Sequence, residues 1–373
     1  MRKKLFLNKN FILLLLLPLL LSGCIINVNK KPAVPVNFMG GMFRSADLGA
    51  SWEHIVDIYN ANGQALNFNT VNITTYTLDP TDQAAMYIGT EVSGILYTYN
   101  YGKAWYNTIP GPGVVNDIVV NPKDRCEIFA AIHNNIYKST DCSRSWKSIY
   151  YDNLPNTFIT DLAINANNPD IIYAGTSGGA IVRSRDHGAY WDVIYRFNNP
   201  INDIIIQNQL DSNIMYVATQ NLGIFRSVTG GMESDWVNIL NEKVDQAEVD
   251  EDTFVPLAQL PGAAEIIALS VDRSQPDALI YVNTYGIYRL TFGEMWKQIK
   301  MIPPKSQERV YAVVVNPANT NEIFYGTTGA FYHSIDNGAN WNISKPPSTG
   351  WPNFLVFSLD NQYLYYGSYI TQR

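Results

Sequence analysis

Three aspartates share one sequence context and are the residues of this chain best placed to do chemistry. They occur in the segments Asn116-Asp117-Ile118, Thr160-Asp161-Leu162 and Asn202-Asp203-Ile204. Aligned on the turns that follow, they occupy one equivalent repeat position, where the other copies of the repeat have Thr75, Ala268, Ala312 and Val356. Neighbouring carboxylates can hold a cation, meet a basic partner segment, or act as an acid–base pair if their pKa values are separated. They can equally accept hydrogen bonds from backbone amides, and the sequence leaves both interpretations open.

No other catalytic or cofactor-binding pattern is recognisable in the sequence. It has no Gly-x-Ser-x-Gly, no phosphate-binding loop and no cluster of metal-ligand histidines. The four histidines are dispersed, at His54, His133, His187 and His333. We therefore predict no catalytic residue, no metal site and no cofactor.

A second candidate site is an acidic insertion at residues 241–263. Its acidic residues include Glu248, Asp250, Glu251 and Asp252, and Phe254 opens the apolar stretch that follows. The spacing of the acids does not match a calcium-binding loop. An acidic run with an apolar tail suits a loop that docks on another protein, although a solvated surface loop would have the same composition.

The N-terminal 23 residues have the features of an export signal. Four basic residues precede a leucine-rich stretch, Phe11–Leu21, that is shorter than the roughly 20 residues needed to span a bilayer. The following Leu21-Ser22-Gly23-Cys24 resembles a bacterial lipobox. We predict a signal peptide at 1–23, a lipid on Cys24, a tether at 24–37, and anchoring to the outer face of a bacterial membrane, the outer membrane if the cell has one. An ordinary secretory signal or an uncleaved anchor is the alternative.

The remainder of the chain is acidic. The full sequence has 26 basic and 33 acidic residues, and the first 23 residues hold four of the basic ones and no acid. The rest therefore carries 22 basic against 33 acidic residues, a net charge of −11. This balance argues against nucleic acid as a partner. The length suffices for one large repeat domain, which we place at 38–373.

Two cysteines remain if Cys24 carries a lipid. Cys126 and Cys142 flank a segment that is typical of a β-hairpin, and a turn centred on Asn134 would place them opposite each other. A disulfide between them suits an oxidising compartment. The alternative is two unlinked thiols, because a one-residue slip in register would separate the side chains.

Seven of the eight tryptophans recur at intervals of roughly 45 residues. Each ends a short motif. Three copies are complete: Ser45, Asp47, Gly49 and Trp52; Ser184, Asp186, Gly188 and Trp191; Ser334, Asp336, Gly338 and Trp341. Four copies are degenerate and end at Trp105, at Trp146 after Asp141, at Trp236 with Thr229 in place of the aspartate, and at Trp296. The aspartate suits a turn carboxylate that accepts backbone N–H groups, and the glycine permits positive φ.

This motif resembles the Asp-box, or bacterial neuraminidase repeat, S-x-D-x-G-x-x-W. Proteins with that repeat include sialidases, some glucan hydrolases, sortilin-like receptors and the photosystem II assembly/stability factor. The resemblance implies that the boxes are structural turns on the face opposite the usual binding face. A sialidase would also need an Arg-Ile-Pro start and an arginine triad. The first is absent, and a triad is hard to assemble because only Arg196 and Arg309 lie near the expected binding-face loops.

The repeat predicts an all-β, seven-bladed β-propeller with four-stranded blades. Short alternating segments rich in aromatic and β-branched residues, bounded by Gly, Asn and Pro, favour strands over helices. The chain enters the domain at residues 41–45 with strands equivalent to the third and fourth of a blade, and leaves through 353–360 and 363–367 with the first and second. The two ends would complete one blade and remove its exposed edges.

The resulting prediction is a lipid-anchored extracytoplasmic propeller that binds protein without catalysis, as a scaffold or assembly factor. The overall pattern is most similar to the photosystem-assembly-factor type, although this acidic chain lacks the arginine-rich patch of that type. The alternative is a cell-surface protein that binds or hydrolyses glycans, as a sialidase does.

Overall fold

The chain folds as a seven-bladed β-propeller in a computed structural model. The structure describes residues 39–59, 65–109, 113–207, 213–232, 235–241, 244–245, 256–259, 262–275, 278–283, 286–291, 296–302 and 309–370. Across these segments there is no α-helix, and two short 3-10 helices lie at Ile239–Asn241 and Leu257–Gln259. No helix of this described part is long and apolar enough to cross a membrane.

Each blade is an antiparallel sheet whose strands A to D run outward from the axis in chain order. Blade 1 has strands Ile73–Leu78, Met86–Thr90, Ile95–Thr98 and Tyr106–Ile109. Blade 2 has Val115–Asn121, Asp124–Ile132, Asn135–Ser139 and Lys147–Tyr151. Blade 3 has Ile159–Ile164, Ile172–Thr176, Ala180–Ser184 and Asp192–Arg196. Blade 4 has Ile201–Ile206, Met215–Thr219, Gly223–Ser227 and Val237–Asn238.

The remaining blades include the one that closes the ring. Blade 5 has Ala268–Asp272, Ala278–Asn283, Gly286–Leu290 and Trp296–Ile299, and blade 6 has Ala312–Asn316, Asn319–Gly326, Phe331–Ser334 and Asn342–Ser344. Blade 7 joins the C-terminal strands Trp351–Phe357 and Leu364–Tyr369 to the N-terminal strands Met42–Ser45 and Glu53–His54. Met42 pairs with Gly367 and Ser45 with Leu364. The predicted fold class, blade count and closure are confirmed.

The hydrophobic core is divided among the blade interfaces. Seven clusters of buried apolar residues are present, one between each pair of neighbouring blades. The cluster between blades 7 and 1, for example, joins Met42 and Phe354 to Ile88 and Trp105. A four-stranded blade therefore buries its faces only against its neighbours, and the ring must close for all seven interfaces to form.

The turns between strands C and D are built as their residue types predict. In the first, the Ser45 hydroxyl donates to Asp47, the Gly49 amide donates to Ser45 Oγ at 2.7 Å, and the Ser51 amide donates to Asp47 at 2.8 Å. The turns at Asp186 and Asp336 repeat this arrangement. The glycine is required because it has φ near +85° in each complete copy.

The turn of blade 4 departs from the sequence alignment. Asp235 supplies the carboxylate, which accepts the Ser227 hydroxyl at 2.7 Å and the Thr229 amide at 2.8 Å. Thr229 occupies the aspartate position in the sequence alignment, but Asp235 plays the part of that aspartate in the folded turn. The lengthened loop places the acid directly before Trp236, where it reaches back into the turn.

Two insertions add a strand to the outer edge of the next blade. Residues Asp57–Tyr59, paired with Ala65–Asn67, bridge in parallel to Trp105 of blade 1. Val244–Asp245 pairs in parallel with Trp296 and Lys297 of blade 5. Trp105 and Trp296 are the repeat tryptophans with 0% exposure, whereas the other five keep part of their surface. The insertions thus cover outer edges that would otherwise be open.

Cys126 and Cys142 form a disulfide. The hairpin between them pairs Ile132 with Asn135 and Ile128 with Ser139, so its register is one residue off the predicted one. The difference arises because His133 adopts φ +54°, which permits a tighter turn. Cys142 lies past the strand in the C–D turn, where its amide donates to the Cys126 carbonyl at 3.3 Å.

We predict that Trp105→Ala will lower the free energy of unfolding by about 3–5 kcal/mol, the usual cost of removing a fully buried large aromatic side chain. The indole packs against Phe68 and donates to the Ile55 carbonyl at 2.9 Å, so both contacts are lost together. The measurement is urea denaturation followed by fluorescence. Trp341→Ala, at a partly exposed repeat position, is the matched control and should cost clearly less. Equal losses would show that the edge insertions add no burial energy.

Candidate functional site

The mouth of the central channel is shaped by β-bulges in strand A. Five blades skip one residue in the pairing of strands A and B, and the bulged residues are Thr74, Asn116, Thr160, Asn202 and Asn353. A bulge turns two successive side chains toward the same side and is often found beside functional sites. Here it lets the bulged residue and the residue after it both face the next blade.

The bulged residues connect neighbouring blades. Asn353 Nδ2 donates to the Thr74 carbonyl at 2.8 Å, and Thr74 Oγ1 donates to the Val115 carbonyl at 2.6 Å. Asn116 Nδ2 continues the series by donating to the Ile159 carbonyl at 2.7 Å. The series stops at Thr160, whose hydroxyl oxygen is buried and has no hydrogen-bond partner among the described residues.

Asp117, Asp161 and Asp203 are the residues that follow three of these bulges. They pair with Ala131, Gly175 and Ala218, so the structure places them at one equivalent position in consecutive blades. The equivalent residue of blade 7 is Phe354, which pairs with Gly367, and the alignment of Val356 with this position was wrong.

The carboxylates also join blades. Asp117 accepts the Leu162 amide of blade 3 at 3.0 Å and the Thr75 hydroxyl of blade 1 at 3.0 Å. Asp161 accepts the Ile204 amide of blade 4 at 2.6 Å. The backbone-bonding interpretation left open by the sequence therefore describes two of the three, with the amide supplied by the next blade. Asp117 thereby uses both of its oxygens in bonds to neighbouring blades, and Asp161 uses one.

Burial and mutual repulsion make it unfavourable for the three carboxyl groups to be ionised together. Burial raises the pKa of Asp117 to about 6, and burial together with the Asp117 charge raises the pKa of Asp203 to about 7. Burial, then the charges of Asp117 and Asp203, holds the pKa of Asp161 well above its ordinary range, and its carboxyl donates a hydrogen bond to Asp117. One proton is thus held between the first two aspartates near neutral pH.

Beneath the mouth the channel holds a cavity of about 220 Å³, with Tyr76, Asp203, Tyr311 and Phe354 among its lining residues. At the opposite end Arg273 donates to the Phe357 carbonyl at 2.9 Å and so reaches from blade 5 to blade 7. The channel consequently has acidic groups at one end and a guanidinium near the other.

A second cavity, which we call the rim pocket, opens beside the first three blades. It measures about 450 Å³ and is lined by Thr74, Val114, Asn116, His133, Phe158 and Thr160. Three of these are the bulged residues described above. Phe158 is 45% exposed, and its ring centre lies 6.3 Å from that of His133. No pattern in the sequence selects His133 or Phe158, because they belong to a turn and a loop outside the repeated motif.

An aromatic stack lies across the mouth from the rim pocket. The Trp351 ring is stacked between Tyr311 and Tyr369, with ring centres 5.1 and 5.3 Å apart. Trp351 is the one tryptophan outside the repeat, and that departure from the period is the signal that could have identified it.

The remaining sequence-predicted residues lie elsewhere. The C–D turns are at the end of each blade opposite the channel mouth, and hydrogen bonds from the Ser51 hydroxyl and amide lower the pKa of Asp47 to about 2. Such a carboxylate is a structural acceptor and a poor acid. Glu248, Asp250, Glu251, Asp252 and Phe254 of the acidic insertion, and Cys24, lie outside the described residues.

Comparison with known proteins gives similarity in fold. No protein-family model matches the chain. A xyloglucanase from Paenibacillus sp is 21% identical over 406 aligned residues, which cover 87% of this chain and 38% of the enzyme. The GH74 xyloglucanase structure from Xanthomonas campestris has a TM-score of 0.60 at 14% identity and covers 80% of this chain and 51% of that one. The structure of YCF48 bound to D1 peptide has a TM-score of 0.56 at 15% identity and covers 81% of this chain and 94% of that one.

The covered lengths separate these neighbours. The chain spans 38% of the Paenibacillus enzyme and 51% of the Xanthomonas structure, but 94% of the YCF48 chain. The fold thus has xyloglucanases and YCF48, a protein that binds the D1 peptide, among its neighbours. At these identities the similarity establishes the propeller and leaves the activity open.

The raised pKa values of the three aspartates predict that their contribution to the stability of the protein falls as the pH rises from about 4 to 7. The folded state holds its carboxyl protons to higher pH than the unfolded chain, so it binds more protons in that window and stability falls with pH. Tyr76, which faces Asp117, stays uncharged there because burial raises its pKa to about 12.

Asp161→Asn should reduce that loss, because the amide stays uncharged without holding a proton and keeps a side-chain oxygen for the Ile204 amide. We expect the free energy of unfolding of the variant to exceed that of the wild type by about 1–2 kcal/mol between about pH 5 and 8, measured by urea denaturation. Asp192→Asn, at an exposed position on strand D, is the control. A variant whose pH profile runs parallel to the wild type would refute the coupling.

Proposed function

We propose that this chain is a lipid-anchored extracytoplasmic propeller that binds protein and acts as a non-enzymatic scaffold or assembly factor. The observation that carries the proposal is the match to YCF48 bound to D1 peptide, which extends over 94% of that chain. A protein that this chain matches over almost its whole length therefore binds a peptide. The xyloglucanase matches, by contrast, leave about half or more of each enzyme without a counterpart.

The use of the channel-mouth carboxylates supports the same proposal. Asp117 and Asp161 each give an oxygen to an amide of the next blade, so their positions are fixed by the fold. A glycosidase needs two carboxyl groups facing each other across a bound sugar, one protonated and one free. In this chain the two groups share a proton with each other, which favours a binding surface over an acid–base pair.

The proposed location, outside the cytoplasm and anchored to a membrane, rests on residues 1–37. The basic start, the short apolar stretch and Ser22-Gly23-Cys24 support export with a lipid on Cys24. A propeller held by a tether of this length would remain close to the membrane surface, within reach of membrane-protein partners.

Glycan binding or hydrolysis is the second candidate. The aromatic stack of Tyr311, Trp351 and Tyr369 favours it, since flat aromatic surfaces at the mouth of a channel suit sugar rings as well as peptide side chains. The similarity to a xyloglucanase over 87% of this chain points to the same class of ligand.

A site-specific crosslinking experiment tests the protein-binding proposal. Phe158 at the channel-mouth end and Tyr190 in a C–D turn at the opposite end are 45% and 67% exposed. We predict that a photoreactive phenylalanine analogue at 158 will crosslink a discrete protein in membranes of cells that produce the full chain. The same analogue at 190 should not, because that end carries the structural turns. Crosslinking from both positions alike, or from neither, would contradict the proposal.

Xyloglucan oligosaccharides test the alternative. We expect no release of reducing ends and no binding in calorimetry, and therefore no difference between the wild type and Trp351→Ala. Turnover that disappears in Asp161→Asn would overturn the non-enzymatic proposal. Binding without turnover that disappears in Trp351→Ala would establish the glycan-binding alternative.

A further inference from the structure

The rim pocket is a formed cavity at a point where the blade-joining hydrogen bonds are incomplete. Thr74 and Asn116 use their side chains to bond the next blade, but the Thr160 hydroxyl oxygen has no partner among the described residues. Buried polar atoms are nearly always satisfied in folded proteins, so Thr160 is a departure from the series in the wall of the pocket.

The wall of the pocket is apolar and preorganised. His133 lies in a tight turn with φ +54°, and Gly113 packs directly against its ring. A Cβ atom at position 113 would lie 1.8 Å from His133 Nε2, so a side chain there would displace the imidazole. Opposite this ring, Phe158 exposes 45% of its surface. The cavity of about 450 Å³ has ample room for a large apolar or aromatic side chain.

The polar neighbours of the pocket are acidic. Asn116 and Thr160 line it, and Asp117 and Asp161 follow them in the chain. Among the described residues, no lysine or arginine forms an ion pair with either aspartate, and the nearby charge of Asp203 has the same sign. Repulsion among three carboxyl groups that have no cationic partner would be relieved by a cation from outside.

We propose that the rim pocket and the adjoining pair Asp117 and Asp161 bind a short basic segment of a partner protein. An apolar or aromatic side chain of that segment packs in the cavity against the exposed face of Phe158, and a neighbouring lysine or arginine lies over the two carboxylates. The charge of −11 outside the signal region adds long-range attraction for such a segment. This proposal rests on the protein-binding function above and names the surface and the chemistry of the partner.

Synthetic peptides provide the test. The probe is a fluorescein-labelled peptide of sequence GSKFKSG, compared by fluorescence anisotropy with GSEFESG, in which the charges are reversed, and GSKAKSG, which lacks the aromatic ring. We expect saturable binding of GSKFKSG and binding about fivefold weaker or worse for the other two. Raising the salt concentration from about 50 to 500 mM should weaken the binding of GSKFKSG to the wild-type protein. This part of the test needs no substituted protein.

Matched variants locate the site. Asp117→Asn with Asp161→Asn should weaken GSKFKSG by about fivefold or more, and Phe158→Ala should weaken it while leaving GSKAKSG unchanged. Asp192→Asn and Tyr190→Ala remove the same groups from other parts of the surface and should have no effect. Circular dichroism checks that each variant is folded. If the double variant does not fold, the salt series on the wild-type protein still tests the charge interaction.

Equal binding of the basic and acidic peptides, or equal effects of the channel-mouth and control variants, would overturn this inference. So would an absence of saturable binding by GSKFKSG. The protein-binding function is judged separately by crosslinking from position 158, so a positive crosslink with negative peptide results would reject only the basic segment.

Discussion

The closure of the ring is the constraint on which every other feature depends. A four-stranded blade has two faces and no core of its own, so its apolar residues are buried only between two neighbours. The pairing of Met42 with Gly367 and of Ser45 with Leu364 supplies the last blade from both ends of the chain. If that pairing is lost, the interfaces on either side lose their packing and two sheet edges become exposed.

Polar contacts join neighbouring blades at both ends of the propeller. At the channel mouth, bulged side chains and aspartates bond the next blade, as Asn116 does to Ile159 and Asp161 to Ile204. At the opposite end, a basic residue that precedes a C–D turn bonds the next blade, as Arg44 does to the Tyr101 carbonyl and Lys138 to the His187 carbonyl. These basic residues therefore stabilise the interfaces between blades.

The sequence predicts this fold well because the fold repeats. Seven tryptophans at a near-regular interval, three of them after a complete Ser, Asp and Gly turn, give the number of blades and the place of closure. The same logic fails where one copy differs from the others. In blade 4 Asp235 supplies the carboxylate through a loop of different length, and in blade 7 the strand pairing places Phe354 at the position assigned to Val356. His133 and Phe158 carry no repeated pattern, so only the folded ring brings them to one pocket.

The channel mouth illustrates how a structural device becomes available for binding. Asp117 and Asp161 are each held in place by an amide of the next blade. Because consecutive blades repeat the device, three carboxyl groups come together and their pKa values rise through burial and mutual repulsion. A single copy of the device would serve the fold alone, whereas three adjacent copies create an electrostatic cost that a bound cation would relieve. The restriction of the aspartates to blades 2, 3 and 4 therefore gives an otherwise symmetric ring one distinct side, the side on which the rim pocket opens.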